Sequence, residues 1–186
     1  MIATDMADHP EPAGDTLRER LSACQRAGLT GVPVPELLQY IAVIAAELDG
    51  YERPHGDVTP DTIRVVDGKA RLTTSRVPHP LPTPASGCGV PLYMAPEVWG
   101  APAGPDSDQY ALACVYAELR TGQPPFRGSD ILTLMRAHIE AAPDLEGCSE
   151  AERQVLTQAL AKAANKRYPS CRDFARQLAR AVSNGP

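Results

Sequence analysis

The sequence predicts a mostly α domain with one small β element. Three observations carry this. Six segments place apolar residues at helical spacing or are apolar all round. A single Asp67-Gly68 pair joins two short β-branched runs, the signature of a two-residue hairpin. No strand–helix–strand alternation and no internal repeat is present, which excludes a parallel α/β sheet and a solenoid.

In chain order, residues 1–14 carry Asp, Pro and Gly without periodicity and are expected to be a disordered tail. Thr16-x-x-Glu19 is a capping box that opens a short helix, with Gly28 behind it and only Leu17, Leu21 and Cys24 as its apolar stripe. Residues 15–34 are therefore expected to be a short helix and linker. A longer helix is predicted from Pro35 to about Asp49, with Gly50 as its stop; Leu37, Leu38, Ile41, Ile44, Ala45 and Leu48 mark its buried face. Thr62–Val66 and Lys69–Thr73 are the two strands. Ser107–Leu119 is apolar nearly all round and is predicted to lie in the centre of its domain. Helices over about 129–141, 150–164 and 170–183 finish the chain. Ser149-x-x-Glu152 and Ser170-x-x-Asp173 resemble capping boxes at the last two.

The chain of 186 residues is long enough for a real core, and 43% of it is hydrophobic. Aromatic residues make up only 5%, so Leu, Val, Ile and Ala must build that core. A net charge of −5 argues against a nucleic-acid groove and against a basic membrane patch. No apolar run is long enough to cross a bilayer, and the N-terminus lacks the pattern of a signal peptide. Cys24, Cys88, Cys114, Cys148 and Cys171 are odd in number and show no C-x-x-C pair, which predicts reduced thiols in a cytoplasm and no zinc site. Eight of the nineteen prolines fall between Pro78 and Pro105, a stretch that excludes helix or central strand.

The order of motifs resembles the C-terminal lobe of a protein kinase of the bacterial serine/threonine type. His55-Gly-Asp-Val-Thr-Pro-Asp-Thr-Ile63 resembles the catalytic loop, H-R-D-L-K-P-E-N-I. Gly89-Val-Pro-Leu-Tyr-Met-Ala-Pro-Glu97 is similar to G-T-P-x-Y-M-A-P-E at the end of the activation segment. Ser107-Asp-Gln-Tyr-Ala-Leu112 resembles the start of the buried central helix, and Arg120-Thr-Gly-Gln-Pro-Pro-Phe126 resembles the turn that follows it. Leu160 to Lys162 and Lys166 to Ser170 match a motif near the lobe's end. The resemblance covers roughly 35–183 and implies a kinase C-lobe-like helical domain with a small β-hairpin.

The resemblance also shows what has changed. Only 54 residues precede His55, and they hold no G-x-G-x-x-G and no lysine, the first being Lys69. The N-lobe, with its nucleotide clamp, is expected to be missing. By the resemblance, Asp57 stands at the catalytic carboxylate as a vestige. Thr62 replaces an Mg²⁺-binding Asn, and Thr74 replaces the D-F-G Asp; a neutral hydroxyl does not replace a carboxylate for a hard cation. Thr59 replaces the phosphate-contacting Lys, Val90 the segment's Thr, and Arg64 the apolar floor under adenine. No metal, no cofactor and no catalytic residue is expected, and the chain is expected not to be an enzyme.

Structural roles are implied for four residues: His55, its backbone held by Asp108, and Glu97 paired with Arg167. Cys114 is expected in the core, and His9, His79 and His138 at the surface. The expected function is that of a non-catalytic pseudokinase C-lobe, a protein-interaction or scaffolding module in the cytoplasm. The contact would use the face left open by the N-lobe, near Ile63, Arg64 and Val65, for another protein or a second copy of the chain. The alternatives are half of a kinase completed in trans by another protein's N-lobe, or a residual enzyme based on Asp57.

Overall fold

The computed structural model describes residues 14–73 and 91–183. Thr74, Val90, the Pro78–Pro84 run, Cys88, His9 and His79 lie outside them. The elements in order are β1 (Asp15–Thr16), α1 (Leu17–Arg26), α2 (Val34–Leu48), β2 (Ile63–Val66), β3 (Lys69–Leu72), α3 (Pro105–Thr121), α4 (Ile131–Glu140), α5 (Glu150–Ala159) and α6 (Cys171–Ser183). Two short 3₁₀ turns, Pro96–Trp99 and Ala164–Lys166, interrupt the loops.

The helices start where side-chain caps place them. Thr16 Oγ1 accepts the Glu19 N–H while Glu19 accepts the Thr16 N–H at 2.7 Å, closing the capping box of α1. Ser149 and Glu152 do the same for α5. That helix stops at Ala159, short of the expected 164. The chain turns at Leu160 because a 3₁₀ turn must bring Arg167 back into the core.

Helix α3 is the axis of the domain. Every residue from Ser107 to Leu119 is buried, and α2, α5 and α6 pack around it. Its four buried polar residues each fix another segment. Ser107 Oγ donates to Glu97 at 2.8 Å. Asp108 accepts from the 55–56 loop. Gln109 exchanges two bonds with the Tyr168 backbone at 2.9 and 3.0 Å, and Glu118 binds Arg18 and Tyr93. Buried polar groups persist only when satisfied, so these four positions dictate how the loops fold onto the helix.

The sheet has three antiparallel strands in the order β1–β2–β3. The β2–β3 hairpin pairs Ile63 with Leu72 and Val66 with Lys69, and its turn residues Asp67 and Gly68 both have positive φ, as a primed turn requires. The third strand is new relative to the sequence reading. Two residues, Asp15 and Thr16, pair with Val65 and Arg64; a strand that short has no alternation to detect. The loop after α1 crosses the end of α3, with Val32 N–H donating to the Leu119 carbonyl at 2.8 Å. A Cβ on Gly31 would meet the Leu119 and Arg120 carbonyl oxygens at 2.4 Å, so only glycine permits the crossing.

Two expectations are corrected. Ile63 is fully buried, because β2 turns it into the core while β1 covers the strand edge, so it offers nothing to a partner; Arg64 and Val65 are half-buried. His138 is also fully buried rather than at the surface. It lies on the inner face of α4, with Nδ1 3.0 Å from the Tyr110 hydroxyl and its ring 4.5 Å from that of Phe126.

Candidate functional site

The loop between α2 and β2 carries the residues with chemical potential. His55 N–H and Gly56 N–H donate to the two oxygens of Asp108 at 2.7 and 2.8 Å. One carboxylate at the start of the central helix thus clamps the loop. The His55 ring is fixed as well. Its Nε2 lies 2.8 Å from the Thr73 carbonyl, which can only accept, so Nε2 carries the proton. Nδ1 is then the acceptor for the Asp57 N–H at 3.3 Å. Gly56 takes φ +75°, a conformation that strains any residue with a Cβ.

The Asp57 side chain stands beyond this clamp. Burial pushes its pKa up, with His55 opposing and Asp61 adding to the rise. Such a carboxyl is a better proton acceptor than a free aspartate at the pH where it is ionised.

Thr59 and Thr62 face each other across the next turn. Thr62 Oγ1 donates to the Asp57 carbonyl at 2.7 Å and accepts the Thr59 N–H at 2.9 Å. The two hydroxyl oxygens are 3.2 Å apart, and Thr59 Oγ1 accepts the Asp61 N–H at 3.2 Å. Both hydroxyls are committed to holding the turn. Arg64 extends along β2, and its NH1 donates to the Gly14 carbonyl at 2.8 Å.

The resemblance places an Mg²⁺ and a nucleotide beside this loop, and Thr62 does not fit the cation. The Thr62 hydroxyl is spent on backbone, and no group of three His, Cys, Asp or Glu side chains gathers in metal-binding geometry among the described residues. No chemical step is routed through either group.

Glu97 and Arg167 form a two-pronged pair, NH1 to Oε1 at 2.7 Å and NH2 to Oε2 at 2.8 Å. The Arg167 side chain has no exposed surface, whereas that of Glu97 is 29% exposed. Burial works against the Glu97 charge. The Arg167 and Ser107 hydrogen bonds outweigh it and hold the carboxyl below its usual range. Arg167 also donates to the carbonyls of Ala161 and Asp106 at 2.9 Å and lies over the Tyr110 ring.

Sequence reasoning missed a second cluster beside the loop. Arg18 of α1 ion-pairs with Glu118, donates to the Tyr93 hydroxyl at 2.5 Å and contacts Asp61 at 3.3 Å. Tyr93 in turn donates to Glu118 at 2.5 Å. Burial lowers the Arg18 pKa, but Glu118 and Tyr93 more than reverse this and raise it above the ordinary arginine value. The available signal was Glu118 itself, a carboxylate amid the apolar residues of the second half of α3, which needs a cation or hydrogen-bond donors once buried.

With this geometry in place, the chain can be set beside known proteins. The protein kinase domain family matches residues 57–181. The chain is 33% identical over 167 residues to the serine/threonine-protein kinase PknF of Mycobacterium tuberculosis, a match covering 80% of this chain and 35% of PknF. It is 34% identical over 158 residues to PknE of the same organism, covering 75% of this chain and 27% of PknE. The crystal structure of the M. tuberculosis PknI kinase domain superposes with a TM-score of 0.73 at 26% identity, over 92% of this chain and 64% of that one. This chain spans about a third of the length of the PknF that it matches. These relatives overturn one expectation. The sequence reading made the chain a non-enzyme, yet the matched family is one of enzymes and the relatives bear the names of kinases. The chain belongs to the protein kinase family.

Proposed function

We propose that this chain works through protein contact, as a kinase C-lobe that does not hold ATP on its own. The supporting observation is the commitment of the loop's hydroxyls. Thr59 and Thr62, at the positions that the resemblance assigns to phosphate and metal, bond to each other and to the loop's own backbone. A side chain so engaged has to break two or more hydrogen bonds before it can serve a ligand. The scaffold beneath the loop is intact, with Asp108, Glu97 and Arg167 all bonded. Such a domain presents a fixed surface to another protein. The four cysteines among the described residues are free and buried, which suits a reducing cytoplasm.

Asp57 supports a second reading, in which a partner supplies the phosphate-binding half and this chain supplies the carboxylate. Burial already raises its pKa toward that of a general base.

The test combines thermal unfolding with sedimentation. Mg²⁺-ATP at 1 mM is expected to leave the midpoint of the isolated chain unchanged, since any ligand bound to the folded state alone must raise it by about 2.7 kcal/mol of stability at a hundredfold excess over Kd. Sedimentation at micromolar concentration reports self-association. A clear upward shift with Mg²⁺-ATP would overturn the first reading. Phosphoryl transfer that appears only with a second chain and vanishes in Asp57→Asn would establish the second.

A further inference from the structure

A cleft of about 500 Å³ opens where the end of α2 and the loop behind it meet the start of α6. Three guanidinium groups line it: Arg53 from the loop, and Arg172 and Arg176 from α6. The latter two are four residues apart, so one face of the helix carries both. Two carboxylates also border the cleft, and both are engaged by backbone. Asp49 accepts the Cys171 and Arg172 N–H groups at 2.9 and 3.0 Å, capping α6, and Asp108 accepts those of His55 and Gly56.

The guanidinium groups are far less committed. Arg172 gives one donor to the Ala46 carbonyl at 3.0 Å. Arg176 pairs with Asp173 on the surface, a contact of little strength. Arg53 has no hydrogen bond or ion pair among the described residues. Tyr51 adds a flat wall, its ring stacked on His55 at 6.2 Å and its hydroxyl turned to Glu47 at 2.8 Å.

We propose that this cleft binds a phosphate monoester carried on a peptide, the side chain of a phosphoserine or phosphothreonine. Three guanidinium groups from two elements, the loop and α6, ask for a ligand with near two negative charges and three acceptor oxygens. A carboxylate has one charge and two oxygens and leaves one fork unused. The Tyr51 ring gives the flanking peptide an apolar surface to lie on. The site is concave and sits on a domain of net charge −5, which disfavours a flat anionic membrane. The volume suits one modified side chain and its neighbours. This inference does not depend on how Asp57 or ATP behaves.

The experiment titrates the full chain with a Gly/Ser peptide bearing one phosphoserine. The same peptide without phosphate, inorganic phosphate and phosphatidylserine vesicles are run beside it. The phosphopeptide is expected to bind at least about tenfold more tightly than the other three probes. Arg53→Ala is expected to weaken it about tenfold without moving the thermal midpoint, since Arg53 is exposed and makes no hydrogen bond or ion pair among the described residues. Arg172→Gln is expected to weaken it too. Equal binding of the unphosphorylated peptide, equal binding of inorganic phosphate, binding to vesicles alone, or an Arg53→Ala variant with unchanged affinity would each overturn the proposal.

Discussion

Arg18 and Glu118 stand a hundred residues apart in sequence and form one ion pair, with the Tyr93 hydroxyl bridging them by 2.5 Å contacts to each. The pair ties the first helix to the central one and to the segment ahead of the Pro96–Trp99 turn. Glu118 is almost fully buried, whereas a third of the Arg18 side chain is exposed. Removing the arginine therefore leaves a nearly buried carboxylate with the Tyr93 hydroxyl and without its cation.

Arg18→Ala is expected to cost about 2–3 kcal/mol, below the full cost of breaking a buried pair because Arg18 is partly solvated. The loss should be visible locally. Helix α1 spans ten residues, too few to be stable alone, and it relies on this tie and on Leu17, Leu21 and Cys24. Faster amide exchange across α1 than across α3 is the expected sign. An α1 that keeps its protection in Arg18→Ala would show that the apolar stripe suffices.

How much of this was legible follows from range. The helices, the hairpin turn and the caps are local, and each left a pattern: Thr16 with Glu19, Asp67 with Gly68, Ser149 with Glu152. The loop residues His55, Asp57 and Asp108 were legible through a family's motif order. Arg18 was not, because nothing near it in sequence marks it as different from Arg20, which turns instead to Glu36 in a half-buried, two-pronged pair. His138 was misread for a related reason. Without metal-ligand companions in sequence it was expected in solvent, and only the fold sets it against Tyr110 and Phe126.

Asp108→Ala leaves two loop amides, those of His55 and Gly56, without their acceptor. A fully buried unsatisfied donor costs about 1–3 kcal/mol; His55 is half-buried and Gly56 exposed, so water offsets part of this and a loss of about 1–2 kcal/mol is expected in urea unfolding. The His55 and Gly56 amides should lose protection before those of α3. A loss below 0.5 kcal/mol on the same scale would mean that water takes over both bonds.

Arg167→Ala removes the pair with Glu97 together with donors to the Ala161 and Asp106 carbonyls. A loss of about 3–5 kcal/mol is expected, because the partners remain half-buried and unpaired. Arg167→Lys should recover little of it, since a point charge on a flexible stem does not reproduce the fork. Equilibrium unfolding of the three proteins decides this, and a fully stable lysine variant would contradict the geometric argument.

His138 gives the domain a pH dependence with a definite sign. Burial lowers its pKa first and the nearby Lys162 charge lowers it further, against a smaller opposing pull from the Leu92 backbone, down to about 4. Unfolding returns it to about 6.5. The unfolded chain therefore takes up the proton first. The stability associated with the neutral ring is fully present above pH 6.5 and is lost progressively as pH falls toward 4. Between pH 7.5 and pH 5 the expected loss is about 2 kcal/mol. Most carboxylates, including the paired Glu97, titrate below that window in the unfolded chain, so they contribute little to it. His138→Asn keeps a polar group near the Tyr110 hydroxyl but takes up no proton. Its stability should be lower at neutral pH, and it should fall less between pH 7.5 and 5 than that of the parent chain. Parallel urea titrations of both proteins at the two pH values supply the comparison, and equal slopes would assign the pH dependence to another group.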